Sequence, residues 1–135
     1  MNKITTSEVR LTEKKYLAEA KMRNHFAVID EPLKSGGSDT APTPVEYLLT
    51  AIGGCVSITL RMYAERKGWD LGEIEVKVTQ KDSLGPKGIT KSLVEEISFE
   101  KEVTDEQRKK LIEIAGKCPV AKMVKGETPI ESLIV

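Results

Sequence analysis

Apolar and polar residues alternate from Ile4 to Leu11 and again from Lys15 to Met22, the period-two pattern of half-buried antiparallel strands. His25 to Asp30 reads as a third strand, so the pattern predicts a three-stranded N-terminal antiparallel sheet. The 13 residues from Glu31 to Thr43 are rich in Pro, Gly and Ser and have no periodicity, which makes them a loop, and a long one. Thr43-Pro44-Val45-Glu46 then has the form of a helix start. Thr43 is the N-cap, Pro44 takes the first helical position and Glu46 completes a capping box, which is reason enough for a glutamate there.

From Tyr47 to Leu60 the chain runs for 14 residues without a formal charge. That falls short of the roughly 20 apolar residues of a membrane span and fits a buried central helix, predicted to continue to about Lys67 and stop at Gly68. Its apolar residues occupy most of the circumference, so it needs cover from several sides. A chain of 135 residues has few elements to supply that cover, and a homodimer is predicted. Alternation returns at Ile74 to Thr79, followed by a loop at Ser83 to Gly88 and a strand from Ile89 to Phe99: a hairpin with a wide turn. Thr104-Asp105-Glu106-Gln107 is a second capping box, opening a helix that ends near Gly116. Cys118-Pro119 begins a short further helix, and Pro129 to Val135 is predicted to add a last strand. The whole is an α+β fold in a single domain, 1–135.

The 21 basic residues cancel the 21 acidic ones. No excess positive charge exists to neutralise nucleic-acid phosphates or hold an anionic membrane surface, so neither is expected as a partner. Only six residues are aromatic, too few for base-stacking platforms. The N-terminal sequence has no apolar core of a secretory signal, which predicts a cytoplasmic protein. There the two cysteines, Cys55 and Cys118, are not expected to form a permanent structural disulfide, and they are either small buried hydrophobes or active thiols.

Cys55 lies midway along the central helix, with Leu48, Ala51, Ile52, Ile58, Thr59 and Met62 on its face. Apolar burial raises a thiol's pKa, which favours inertness. Against it stands the Gly53-Gly54 pair, since each glycine inside a helix costs about 1 kcal/mol relative to alanine. Something must approach the backbone beside Cys55, either a crossing helix or a substrate. Cys118 is placed at a helix N-terminus with Lys117 and Lys122 close by, and both features stabilise a thiolate.

Other chemistries find little material. The single histidine, His25, and the two cysteines give at most three soft ligands with no CxxC or HxxxH pair, so no metal site is expected. No GxSxG elbow accompanies His25, no phosphate-binding glycine fingerprint occurs, and no cofactor is called for.

Pro42-Thr43-Pro44-Val45-Glu46-Tyr47-Leu48-Leu49-Thr50-Ala51-Ile52-Gly53-Gly54-Cys55, followed much later by Cys118-Pro119-Val120, resembles the OsmC/Ohr family of osmotically inducible and organic hydroperoxide resistance proteins, as a divergent member. The resemblance extends over nearly the whole chain. It implies an intertwined α+β homodimer with active sites at the subunit interface, reducing organic hydroperoxides by thiol chemistry. Cys55 would be the peroxidatic thiol, Cys118 would resolve its sulfenic acid as a disulfide, and a dithiol reductant would regenerate the pair. The family's peroxidases carry a glutamate directly after the helix-opening proline, where this chain has Val45, with Glu46 one position later. On a regular helix Glu46 lies about 180° round and roughly 13 Å along the axis from Cys55, so it is a catalytic candidate only from a partner subunit. The reading from another class is a non-enzymatic dimer that binds a small hydrophobic ligand at its interface, with passive cysteines.

Overall fold

The computed structural model describes residues 3–135. The chain divides into two compact units, one up to Leu48 and one from Leu49 onward.

The first unit is built on an antiparallel sheet of β1 (Glu8–Leu11), β2 (Ala18–Met22) and β3 (His25–Ile29), in the order β1-β2-β3. Register pairs Val9 with Ala20 and Leu11 with Ala18, then Ala20 with Ala27 and Ala18 with Ile29, so one face of the sheet is apolar. Arg10 and Glu19 pair on the other face at 2.8 Å. The predicted strands are longer than the observed ones. β2 begins only at Ala18 because the Thr12 amide donates to the Leu17 carbonyl at 2.9 Å and Lys15 adopts φ 57°, which closes a turn over Thr12 to Leu17.

The loop after β3 is wound around one carboxylate. Asp30 is almost fully buried; its Oδ2 accepts from the Thr40 hydroxyl at 2.7 Å and the Thr40 amide at 3.1 Å, and its Oδ1 accepts from the Glu31 amide at 2.8 Å. These bonds hold Asp30 below the ordinary carboxylate range, the Thr40 hydroxyl contributing most. A single 3₁₀ turn, Leu33–Ser35, ends at Gly36 with φ 91°. Gly37 has no room for a side chain, because a Cβ there would lie 2.0 Å from the Glu31 carbonyl oxygen.

α1 (Pro44–Lys67) starts as the sequence predicts: the Thr43 amide donates to Glu46 Oε1 at 2.9 Å and the Glu46 amide to Thr43 Oγ1 at 3.2 Å. It ends at Gly68, whose φ of 70° stops the helix. The helix is long enough for a membrane span, but its uncharged stretch is 14 residues and Ile52, Val56, Leu60, Tyr63 and Ala64 pack into a protein core.

That stripe anchors the second unit. β4 (Ile74–Gly85) and β5 (Gly88–Phe99) form a separate two-stranded ribbon, and α2 (Asp105–Ala115) and α3 (Pro119–Lys125) follow. Leu71, Leu111, Ile114, Ala115, Cys118 and Ala121 complete the buried cluster, with Val76, Val78, Ile97 and Phe99 of the ribbon packed against it. Tyr63 and Trp69 meet edge to face, with ring centroids 5.6 Å apart. α2 has the predicted capping box, Thr104 with Gln107.

Two expectations are corrected. The hairpin turn is not wide: Gly85 pairs with Gly88, leaving Pro86-Lys87 as a two-residue turn and extending each strand to 12 residues. Pro86 presets the φ of the first turn position, and Gly88 adopts φ 101°, so both are turn chemistry. The predicted last strand is absent, since residues 127–135 make no ladder and Ile130, Leu133, Ile134 and Val135 are exposed. Their pattern is that of a strand, but among the described residues no strand pairs with them.

Candidate active site

Cys55 and Cys118 come together. Cys55 is half-buried on α1, where it packs against the core cluster, and Cys118 is fully buried at the start of α3. Both are free thiols, and the two are gathered into one core cluster across 63 positions of sequence, near enough that Cys55 bears on the Cys118 thiol. The juxtaposition follows from the packing. Ile52 and Val56 flank Cys55 on the stripe that faces the core, and the same core receives Cys118 and Ala121 from α3.

Cys118 is the N-cap that its Cys-Pro sequence predicts, with Pro119 at the first helical position. Its sulfur accepts the Ala121 amide at 3.4 Å. The expectation that this environment makes Cys118 a ready thiolate is corrected. Burial pushes the Cys118 thiol above its ordinary value, and neighbouring Cys55 pushes the same way; the Ala121 and Val120 amides pull down without reversing it. The lysines contribute nothing against this. Lys117 lies 3.8 Å from Glu113 and is largely exposed, and Lys122 is exposed as well. Burial thus favours the protonated form of Cys118 over the thiolate.

The glycine pair divides into two cases. A Cβ at Gly53 would lie 3.4 Å from Val78 Cγ2 and 3.5 Å from the Val76 carbonyl oxygen, so β4 of the same chain passes close to the backbone there. Gly54 has nothing within 4 Å of such a Cβ. The two glycines help to line a groove of ≈ 390 Å³ together with Leu49, Thr50, Ser57, Val76 and Val78. Of the apolar residues predicted on the Cys55 face, Ile52 is buried while Leu48, Ile58 and Met62 are exposed, Ile58 at 57% and Met62 at 60%. One chain therefore covers one stripe of α1 and leaves the other apolar side open.

A second groove of ≈ 410 Å³ lies one helical turn from the thiols, lined by Ile52, Leu93, Glu95, Ala121, Val124 and Lys125. Sequence reasoning missed Leu93, Glu95, Val124 and Lys125, because their roles depend on β5 and α3 meeting beside α1. Glu46 is engaged as a helix cap. Among the described residues no group of three or more His, Cys, Asp or Glu is placed to hold a metal ion.

An antiparallel sheet, a long core helix carrying one cysteine, and a short C-terminal helix capped by a second define a class of dithiol α+β proteins. The sequence model of the OsmC-like protein family matches residues 36–132, and the chain belongs to that family. No curated protein matches it significantly. Among solved structures it is similar to a candidate osmotic stress induced and detoxification response protein of Psychrobacter arcticus, at 25% identity over 90% of this chain and 89% of that one, with a TM-score of 0.75. It is similar in fold to an OsmC-like protein of Mycoplasma pneumoniae, at 21% identity over 93% and 90% of the two chains, TM-score 0.72. An organic hydroperoxide resistance protein of Elizabethkingia anophelis matches at 20% identity over 93% and 92%, TM-score 0.69.

Proposed function

We propose that this chain is a thiol-dependent peroxidase acting on organic hydroperoxides. The observation that carries the reading is the packing of two free thiols into one core cluster, one half-buried and one fully buried. Membership of the OsmC-like family supports it, as does the name of the Elizabethkingia relative. The Cys55 thiolate attacks the terminal peroxide oxygen, the O–O bond breaks, the alkoxide takes a proton and leaves as an alcohol, and Cys55 becomes a sulfenic acid. The Cys118 sulfur then attacks the Cys55 sulfur, its proton leaves with the hydroxide as water, and a disulfide forms. A dithiol reductant restores both thiols by exchange.

The open side of α1, with Leu48, Ile58 and Met62 uncovered, supports a homodimer in which a second copy supplies the cover. We further propose that the chain acts as one domain, in the cytoplasm. Glu46 enters the cycle only when donated by that copy. Glu46→Gln keeps the cap, as Gln107 does in α2, so a fall in turnover with the fold intact assigns the carboxylate to the reaction and unchanged turnover leaves it as a cap.

The test is to expose the reduced protein to cumene hydroperoxide, titrate free thiols and map the products by mass spectrometry. Rapid formation of a Cys55-Cys118 disulfide with one alcohol released per disulfide is expected. Thiols that stay reduced at equimolar peroxide leave the second reading, a non-enzymatic dimer that binds a small hydrophobic ligand at its subunit interface, with passive cysteines.

A further inference from the structure

α3 has few ties of its own. It is seven residues long, well under the length at which an isolated helix holds in water, and Ala121 is its only buried residue. Pro119 has no amide to offer, so the first amides needing an acceptor are those of Val120 and Ala121. The acceptor is the Cys118 sulfur, 3.4 Å from the Ala121 nitrogen. At its other end the helix is held by the Gly126 amide on the Lys122 carbonyl, 2.9 Å, and by the Thr128 hydroxyl on the Met123 carbonyl, 3.1 Å.

One atom thus has two duties. The sulfur that caps α3 is also the sulfur placed against Cys55. In the reduced state both duties coexist, the sulfur packing beside Cys55 in the core while its lone pair accepts from Ala121. When the disulfide forms, each thiol gives up its hydrogen, the two sulfurs share a bond, and an oxidant takes up two electrons and two protons. Cys118 Sγ is then drawn from packing contact to covalent distance of Cys55. A sulfur contact at 3.4 Å is already long, and movement toward α1 withdraws it from the amide.

We infer that α3 is a redox-responsive element: oxidation of the Cys55-Cys118 pair removes the helix cap, loosens Pro119–Lys125 and opens the groove which that helix walls. Ala121, Val124 and Lys125 make half of the lining of the ≈ 410 Å³ groove, so a loosened α3 widens it. The oxidised protein differs from the reduced one beside the disulfide, which is where a reductant must gain access to a buried sulfur. The inference rests on the proposed dithiol cycle, but its capping half stands apart from any activity.

Hydrogen exchange read by mass spectrometry, over peptides spanning 119–126, tests it. The samples are the reduced chain, the chain oxidised with diamide, and reduced Cys118→Ala and Cys118→Ser. Diamide takes the two hydrogens directly and becomes the hydrazine, so no peroxide turnover is needed. Loss of an N-cap corresponds to about fivefold faster exchange, expected for the oxidised chain and for reduced Cys118→Ala. Cys118→Ser supplies a strong oxygen cap and should exchange at the reduced rate or slower.

Equal protection of 119–126 before and after oxidation, with the disulfide confirmed by mass, overturns the inference and leaves the peroxidase reading intact. Equal rates for reduced wild type and Cys118→Ala also overturn it. Failure of organic hydroperoxide to generate the disulfide that diamide generates sinks the peroxidase reading and leaves the redox response standing. Failure of diamide to form the disulfide sinks both.

Discussion

The Cys118 sulfur accepts the Ala121 amide at 3.4 Å and shares its core cluster with Cys55 of α1. In the proposed cycle half-buried Cys55 meets the substrate and buried Cys118, whose burial favours the protonated thiol, follows. Cys55→Ser is expected to lower peroxide reduction by about 10³-fold or more, as loss of a nucleophile does in other enzymes. Cys118→Ser should still consume one peroxide per chain and then stop at a Cys55 sulfenic acid, trapped with dimedone and weighed by mass spectrometry. Continued turnover without Cys118 would remove it from the cycle.

Burial of Cys118 also sets a response to alkali. Its folded pKa is raised above 9.0, so between 9.0 and the folded value the unfolded chain has released a proton that the folded chain retains. Its contribution is complete below pH 9.0 and is lost as pH rises through the folded pKa. Urea titrations from pH 8 to 10.5 should show a decline for the wild type that is shallower in Cys118→Ser. Identical slopes would mean that the thiol is not held protonated.

Asp30 predicts the opposite dependence. Its pKa lies below 3.8 in the folded chain, because the Thr40 hydroxyl and the Glu31 and Thr40 amides favour the ionised form. The stabilisation is present above 3.8 and lost as pH falls through the folded pKa. Amides of Glu31 and Thr40 should lose protection on acidification below that point, and Thr40→Val should lose part of it already at neutral pH. Protection unchanged in Thr40→Val would remove the hydroxyl from the clasp.

Gly53 and Gly54 are distinguishable by one methyl group each. With nothing within 4 Å of its Cβ position, Gly54→Ala should gain about 1 kcal/mol of helix propensity, measured by urea unfolding. Gly53→Ala should gain less, as its Cβ would press on Val78 at 3.4 Å. A destabilised Gly54→Ala would show that a second copy of the chain sits against that glycine.

Much of this architecture is legible in the sequence where local chemistry decides it. Thr43 with Glu46, Thr104 with Gln107, and Cys118-Pro119 mark three helix starts through caps that need only neighbours in the chain. Gly68 marks a stop in the same way. What sequence could not weigh was depth. Cys118 among lysines reads as a thiolate, and only the packing of Leu111, Ile114 and Ala121 around it shows that desolvation outweighs a helix terminus. The tail from Pro129 has the composition of a strand, yet pairing depends on an available sheet edge, a property of the fold and not of the segment. The meaning of Gly53 was likewise hidden in a nonlocal contact, its approach by Val76 and Val78 of β4.

The two-residue turn at Pro86-Lys87 has a practical side. Ladder bonds continue out to the Gly85-Gly88 pair, while the core contacts of the ribbon stop at Val76, Val78, Ile97 and Phe99 at its other end. The tip is therefore a handle separate from the dithiol. A fluorophore or an inserted peptide between Pro86 and Lys87 can follow assembly or anchor the protein to a surface while leaving the surroundings of Cys55 untouched.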